Sequence, residues 1–353
     1  MNSTAQAPSP HLPLRPEWLA LHSEPALQPQ QAIIDAHHHL WDRPHNRYLH
    51  ADLLADMGSG HRVLASVFVE CGAMYRTDGP AALACLGETE FVQQIATASA
   101  SGAHGACRIA AAIVGHADLL LGAEVGAVLD AHLQAAPGRF RGIRNSSVYH
   151  PDPRARASLA NPPPGLLQDA QFRRGFACLA PRGLSFDAWM YHTQLDELSD
   201  LAHAFPDTTL VLNHVGGPLG IGPYAGQRAA VFGQWQKSMQ RLAACDNVTV
   251  KLGGMGMRMF GFDFADRQQP PHSQALAQAW GPTLLACIAA FGPGRCMFES
   301  NFPVDKGSCA YGVLWNAFKR VAAPLSADQR QALFFGTAAR VYKIDVPAAP
   351  AMR

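Results

Sequence analysis

The chain of 353 residues has few charged side chains, and their distribution excludes several kinds of partner. Charged residues make up 16% of the sequence, and 28 basic against 27 acidic residues leave a formal net charge of +1. No run of five or more Lys and Arg residues occurs, so no nucleic-acid-binding surface is expected. No stretch of about 18 apolar residues occurs either, so no membrane span is expected. Hydrophobic residues make up 48% of the chain, which is typical of a large globule with a well-buried core.

The eight cysteines form no Cys-x-x-Cys pair, and several lie inside apolar segments. We interpret them as small core residues of a protein in a reducing compartment, rather than as disulfides or a thiolate metal site. The N-terminal stretch has prolines at positions 8, 10, 13 and 16 and no apolar core, which is not the pattern of a signal peptide. The cytoplasm is therefore the expected compartment.

Eight short apolar runs alternate for the most part with helical patterns. The runs are 33–39, 63–69, 108–114, 140–144, 184–187, 209–214, 248–252 and 295–301. This alternation predicts an α/β fold with a parallel sheet, and the count of eight favours a closed (β/α)8 TIM barrel over an open sheet. No Gly-x-Gly-x-x-Gly follows the first run, which argues against a dinucleotide-binding sheet. We expect a single barrel domain over residues 31–345, an irregular and partly disordered N-terminal extension over 1–30, and a tail over 346–353.

Three consecutive histidines, His37, His38 and His39, follow the first apolar run. Residues i and i+2 of a strand share a face, so His37 and His39 should point the same way and His38 the opposite way. Two converging imidazoles are typical of a metal site. We interpret His38 as a helper or packing residue.

Polar residues end seven of the eight runs, and strand ends carry the active site in a (β/α)8 barrel. These residues are His37 and His39, Glu70, Arg144, Asp187, His214, Lys251 and Asn301. His37, His39 and His214 supply three nitrogen ligands, the usual plan of a catalytic zinc site with one open position. Arg144 offers a bidentate fork for a carboxylate, which predicts an anionic small-molecule substrate.

Further residues are candidates for the same site. Lys251, Arg258 and His192 are additional substrate-binding candidates, and Glu70 ends the second run at the rim. For Arg258 the alternative is a solvated loop residue. Trp41, Trp189 and Phe302 are candidates for the pocket wall, although a plain core role suits aromatic residues equally well.

Ordered motifs across residues 33–342 resemble the amidohydrolase superfamily, in particular the branch of 2-pyrone-4,6-dicarboxylate lactonase and fuconolactonase. The matching segments are Asp-Ala-His-His-His-Leu-Trp-Asp at 35–42, Phe-Arg-Gly-Ile-Arg at 140–144, Asn-His-Val-Gly-Gly-Pro at 213–218, Val-Lys-Leu at 250–252, Arg-Cys-Met-Phe-Glu-Ser-Asn-Phe-Pro at 295–303 and Phe-Gly-Thr-Ala-Ala-Arg-Val-Tyr at 335–342. The resemblance implies a (β/α)8 barrel that hydrolyses a lactone or ester. It also implies a divalent metal such as Zn²⁺, although metal-independent relatives occur in this branch.

The chain departs from the family pattern at the end of the eighth run. Where the family usually has Gly-Ser-Asp-Trp-Pro, with an Asp that binds metal and transfers the proton, this chain has Asn301. An amide takes no proton from water at neutral pH, so Asn301 can only orient a water or a substrate oxygen. The base is then another group, and the candidates are Glu299, Asp305, Glu70 and His192.

Three functional hypotheses follow. The first is a hydrolase that opens a lactone or ester of a small organic or sugar acid. The second is a metal-dependent decarboxylase of the same superfamily, against which Asn301 argues because family decarboxylases keep the acid. The third is a non-catalytic barrel that binds a small acid. A homo-oligomer is compatible with all three.

Overall fold

The structure is a computed structural model that describes residues 11–43, 46–103, 105–158, 160 and 162–346. Its strands, in chain order, are β1 (Ile33–His38), β2 (Trp41–Arg43), β3 (Asn46–Tyr48), β4 (Val63–Val69), β5 (Arg108–Gly115), β6 (Phe140–Arg144), β7 (Ser185–Ala188), β8 (Leu210–Leu212), β9 (Val248–Leu252) and β10 (Cys296–Phe298). Its α-helices are α1 (Pro16–Leu19), α2 (His50–Met57), α3 (Leu86–Ala100), α4 (Val125–Ala135), α5 (Ala170–Phe176), α6 (Leu195–Ala204), α7 (Arg228–Leu242), α8 (Ser273–Phe291), α9 (Tyr311–Ala322), α10 (Ala327–Gln331) and α11 (Thr337–Val341).

Eight strands form one parallel sheet in the order β1-β4-β5-β6-β7-β8-β9-β10. The two edges of the sheet meet through backbone hydrogen bonds. The backbone N–H of Asn301 donates to the His37 carbonyl oxygen over 2.9 Å, and that of His39 donates to the Phe302 carbonyl oxygen over 2.8 Å. Helices lie between successive strands. The result is a nearly closed (β/α)8 barrel, and the predicted fold class is confirmed.

Two apolar clusters divide the interior. The smaller one takes alternate residues of neighbouring strands, such as Ile34 and Ala36 of β1 and Val67 and Val69 of β4. Alternate residues of a strand share a face, so this cluster fills the inside of the barrel. Tyr342, which follows α11, belongs to it and is fully buried. The larger cluster packs the outward strand faces against the helices.

The segment after β1 is more ordered than the sequence predicts. We expected a long loop over residues 40–60 with at most a short helix at Leu53 and Leu54. Instead, β2 and β3 pair as an antiparallel hairpin and α2 follows it. Residues 44 and 45, between β2 and β3 in the sequence, lie outside the described residues.

Helix α9 was missed, and the last helix is not continuous. The apolar residues of α9 recur at helical spacing, at 311, 314, 315, 318, 321 and 322, so the signal was present in the sequence. Its polar residues Asn316 and Lys319 are buried because residues 24–28 cover them. We expected one last helix over about 327–342, but a π-helical turn at Ala332–Gly336 divides it into α10 and α11.

Residues 11–31 of the N-terminal extension lie against the barrel. The Leu27 amide donates to Asn316 Oδ1 over 2.7 Å, and Lys319 Nζ donates to the carbonyl oxygens of Leu27 and Gln28. Residues 1–10, and 347–353 of the tail, lie outside the described part, so the expected domain boundaries stay predictions. Within the described part, no helix is both long and apolar enough to cross a membrane. All eight cysteines are free.

Candidate active site

The histidine pair after β1 has the spacing of two metal ligands. The Nε2 atoms of His37 and His39 lie 3.2 Å apart. Two nitrogen ligands of one tetrahedral zinc ion are about 3.3 Å apart, given Zn–N bonds near 2.0–2.1 Å. His39 Nδ1 lies 2.8 Å from the Val69 carbonyl oxygen, to which it donates, so its Nε2 presents a lone pair. The two histidines converge on one point, as the strand geometry predicts.

His38 points away from this pair. Its Nε2 lies 2.9 Å from Ser66 Oγ, and its ring packs edge-on against Phe68 at a centroid distance of 5.9 Å. Phe68 belongs to the outer apolar cluster. His38 therefore holds β1 against β4, which is the packing role we expected.

Glu299 directly follows β10 and contacts two site histidines, His37 of β1 and His214 after β8. Its Oε2 lies 2.8 Å from His37 Nδ1, and its Oε1 lies 2.7 Å from His214 Nδ1. Donor atoms of His37, His214 and Glu299 all lie within 4.8 Å of one another. The carboxylate is fully buried, accepts from His214 Nδ1 and lies in close contact with His37 Nδ1, so it fits the role of an outer carboxylate that orients metal-binding imidazoles.

His214 has a tight environment of its own. It has a positive φ of 53°, and a Cβ on Gly254 would lie 2.4 Å from its Nδ1. Gly254 thus allows the β9 loop to close over the imidazole. Trp189 packs edge-on against the ring at a centroid distance of 4.8 Å, and the His37 ring lies 4.7 Å away.

Burial keeps the three site histidines neutral. It lowers the pKa of His37 and of His39 well below the usual 6.5, with the cations Lys251 and Arg144 as further causes. Burial also lowers the pKa of His214, although Glu299 opposes that shift. Neutral imidazole is the form that binds a metal. With Nδ1 held by an acceptor in each ring and two Nε2 atoms facing each other, the donor set fits a divalent cation.

A cavity of about 290 Å³ opens beside these histidines at the carboxyl ends of the strands. Its lining residues include His39, His214, Asn301, Arg144, Glu70, Trp41, Trp189, Ser146, Cys71, Arg43, His11, Ser158 and Met257. Phe302, a third candidate for the wall, is instead buried against Tyr311. A larger groove of about 830 Å³ lies at the other end of the barrel, beside Ala32 and Arg62, where strands begin rather than end.

Arg144 and Glu70 form a pair at the cavity wall. Arg144 Nε donates to Glu70 Oε1 over 2.7 Å, and Arg144 Nη2 donates to the Glu70 carbonyl oxygen. These two bonds use the Nε and Nη2 atoms of the guanidinium and leave Nη1 as a further hydrogen-bond donor. Arg144 is only 7% exposed, so the fork is held rigidly.

Asn301 lines the cavity, and Asp305 lies behind it. Asn301 Nδ2 donates to Asp305 Oδ1 over 2.9 Å, while the Gly256 amide donates to Asp305 Oδ2 over 2.9 Å. Asn301 Oδ1 is buried with no hydrogen-bond partner among the described residues. Burial raises the pKa of Asp305 to about 8. Asp305 thus orients the Asn301 amide and does not line the cavity.

Lys251 lies beneath the histidines. Its Nζ donates to Asp187 Oδ2 over 2.7 Å and lies 3.4 Å from His37 Nδ1. Asp187 also accepts from Tyr342 and from Asn213. Lys251 is fully buried, so the structure places it in the barrel interior and not at a substrate-binding surface.

The structure does not bring His192 or Arg258 to the cavity lining. His192 Nδ1 accepts from the Leu219 amide over 3.3 Å, and its ring packs against Tyr224. Arg258 is on an exposed loop, 3.8 Å from Asp266, which matches the alternative of a solvated residue. Substrate roles for these two stay predictions without geometric support.

Several lining residues escaped the sequence reasoning. Arg43 follows the histidines in the β2 strand, with its guanidinium 4.3 Å from the centre of the Trp41 ring, and Ser146 lies two residues after β6. Their nearness to strand ends was the available signal. His11 had no such signal, because it lies far from any strand in the sequence.

The architecture and the histidine–carboxylate cluster define a (β/α)8-barrel protein with a metal-type site at its strand ends. The chain belongs to the Amidohydrolase family, whose sequence profile matches residues 34–344. It is 35% identical to the uncharacterized protein y4mH of Sinorhizobium fredii, in an alignment 335 residues long that covers 89% of this chain and 99% of that protein.

Two further relatives carry chemical information. The chain is 29% identical to L-fucono-1,5-lactonase of Burkholderia multivorans, over 89% of this chain and 97% of that enzyme. A crystal structure of a Burkholderia multivorans amidohydrolase with bound zinc is 26% identical, with a TM-score of 0.69, and the match covers 89% of this chain and all of that one (100%). The resemblance to the amidohydrolase lactonase branch is thereby confirmed.

Proposed function

We propose that this protein is a hydrolase that opens a lactone or related ester of a small organic or sugar acid. The observation that carries the proposal is the grouping of the neutral imidazoles of His37, His39 and His214, two of which line a cavity that Arg144 also lines. Its similarity to L-fucono-1,5-lactonase supports the same reaction type.

The imidazoles of His37, His39 and His214 are the groups that would hold a divalent metal, and Zn²⁺ is our candidate because the related crystal structure contains it. Such an ion polarises a carbonyl and acidifies water. Glu299 accepts the Nδ1 proton of His214 and lies 2.8 Å from His37 Nδ1, so the carboxylate favours the tautomer that presents Nε2 in both rings.

The remaining residues bind and orient the reactants. Arg144 Nη1 donates to a carboxylate or another anionic oxygen of the substrate. Asn301 Oδ1 accepts a hydrogen bond from the attacking water or from a substrate hydroxyl. The amide takes no proton, so the base is another group. Of the four candidates from the sequence, Glu70 is the one whose carboxylate lines the cavity.

The test is a lactone-hydrolysis screen with His214→Ala. We expect loss of turnover by at least about a thousandfold, because one of the three convergent groups is removed. His203→Ala is the matched control, since His203 is exposed on α6, its Nδ1 donates to the Ser199 carbonyl oxygen and its ring contacts Cys245, away from the cavity. The melting temperature of both variants should stay near that of the parent protein. Unchanged turnover in His214→Ala would contradict the proposal.

Elemental analysis and treatment with a chelator test the metal separately. We expect about one equivalent of a divalent metal, and loss of turnover on its removal that returns when Zn²⁺ is added. Full activity after complete removal would assign the hydrolysis to the imidazoles alone. Release of carbon dioxide from aromatic acids, measured in the same preparations, would instead favour a decarboxylase.

A further inference from the structure

The described part of the N-terminal extension runs along the barrel as a strap, here defined as residues 11–28. The family profile begins at residue 34, so the strap lies outside the part of the chain that is matched to the family. It nevertheless reaches the cavity, because His11 is one of the lining residues. A segment additional to the family barrel therefore contributes a side chain to the candidate active site.

The lower half of the strap is fixed to α8 and α9. Glu24 accepts from the Ser273 amide over 2.7 Å and from Asn316 Nδ2 over 3.0 Å. Lys319 Nζ donates to the Leu27 carbonyl oxygen over 2.7 Å. Hydrogen bonds to two helices hold this half, so it is a docked segment with a defined path.

The upper half is held at the mouth of the barrel. Arg15 donates to the Ala265 carbonyl oxygen, and Trp18 Nε1 donates to the Arg267 carbonyl oxygen over 3.1 Å. Leu12 is 7% exposed, and a Cβ on Gly307 would lie 2.4 Å from the Leu12 Cβ. Leu12 thus packs directly on the backbone after β10 and places the neighbouring His11.

His11 lies among groups that suit a polar or anionic ligand. Its ring is 5.8 Å from that of Trp41, whose other neighbours are the His39 ring, also at 5.8 Å, and the Arg43 guanidinium. Burial, and then Arg43, lower the pKa of His11 to about 4, so the ring is neutral. Arg43 and Arg144 both line the cavity as cations.

We infer that the strap completes the substrate site, and that His11, together with Arg43, binds the end of an acidic substrate remote from the catalytic histidines. This inference rests on the proposed function and deepens it. The substrate class it selects is an acid with a second polar or anionic group, such as a dicarboxylate or a sugar acid. His11 is then a specificity residue that the family barrel does not supply.

The first experiment measures binding without turnover. Citrate serves as the probe, titrated by calorimetry into the full chain, into His11→Ala and into His22→Ala. His22 is the matched control, because it is a strap histidine that pairs with Glu24 away from the cavity. We expect citrate to bind roughly tenfold more weakly to His11→Ala and with parental affinity to His22→Ala.

The second experiment separates positioning from contact. Leu12 is absent from the cavity lining, yet Leu12→Ala should weaken citrate binding in the same direction as His11→Ala, because it loosens the support of His11. His11→Gln, which keeps a donor and an acceptor, should restore part of the affinity. On any lactone that is turned over, KM should rise in His11→Ala while kcat changes little.

The outcomes are distinguishable from those of the proposed function. Citrate binding that depends on His11, in a protein that hydrolyses no lactone, would support the strap and contradict the hydrolase. Lactone turnover with equal KM and equal citrate affinity in His11→Ala and the parent would contradict the strap alone. A parent protein that does not bind citrate measurably would also contradict it.

Discussion

Two buried clusters of polar and charged side chains lie one above the other inside this barrel. They differ in whether their hydrogen-bonding atoms remain available to a ligand. In the upper cluster, Glu299 accepts from His214 and contacts His37 Nδ1, while the Nε2 atoms of His37 and His39 face each other. In the lower cluster, Asp187 accepts from Lys251, and also from Tyr342 and Asn213.

This difference indicates that the upper cluster serves the reaction and the lower cluster stabilises the fold. Lys251, Tyr342 and Asn213 all donate to the Asp187 carboxylate, and none of the three lines the cavity. The upper cluster is fixed on one side only. An active site needs groups that are held in a fixed orientation but still have an atom available to a ligand. In the site histidines, contacts at Nδ1 fix the ring and leave Nε2 available. The following substitutions test whether the lower cluster supports the fold and the upper one the reaction.

The largest effect should come from Lys251→Met. The change leaves the Asp187 carboxylate in the barrel interior without its cation, and removal of one partner of a buried pair costs about 3–5 kcal/mol of unfolding free energy. Denaturant unfolding measures this. Arg241→Met is the control: it breaks an exposed pair with Asp196 and should change the free energy by less than about 1 kcal/mol. Equal effects of the two variants would show that the lower cluster does not support the fold.

Glu299→Gln should act on the reaction. The amide keeps one acceptor oxygen but turns its NH₂ group towards one of the two imidazoles, whose Nδ1 proton then has no acceptor. Loss of an outer carboxylate of this kind lowers metal affinity or activity by roughly 10–100-fold. Turnover and metal content, measured on the same sample, test it. Parental values for both would mean that Glu299 does not orient the histidines.

The smallest effect concerns Asn301. Asn301→Asp alone places two carboxyl groups at the present 2.9 Å contact with Asp305, and such a pair shares a proton. We expect this variant to change turnover by a factor of about two or three only. The double variant Asn301→Asp with Asp305→Asn exchanges the two residues and removes the repulsion between carboxylates. It should be more active than Asn301→Asp alone. Activity that appears only after Asn301→Asp would identify the natural chain as a binding protein.

The sequence determined the fold and the centre of the site. Alternating apolar runs and helical patterns require parallel strands, and eight of them close into a barrel. The i, i+2 spacing of His37 and His39 requires a common direction on a strand. Arg144 and His214 end their runs, and the strand ends meet at one rim, so their presence at the cavity was predictable.

The tertiary structure decided which partner each of these groups takes. Glu299 and Asp305 both appeared as candidate bases, but pairing across the barrel made one the acceptor for two imidazoles and the other the support of Asn301. Lys251 ends its run like Arg144, yet Asp187 on β7, two strands away in the sheet, holds it below the rim.

His11 depends most of all on the tertiary structure. Local periodicity reports only which side of a strand or helix is buried. The contacts of Leu12 with Gly307 and of Glu24 with Ser273 and Asn316 join residues more than two hundred positions apart. Such contacts exist only after the barrel has closed, and they are what carries the strap to the active-site cavity.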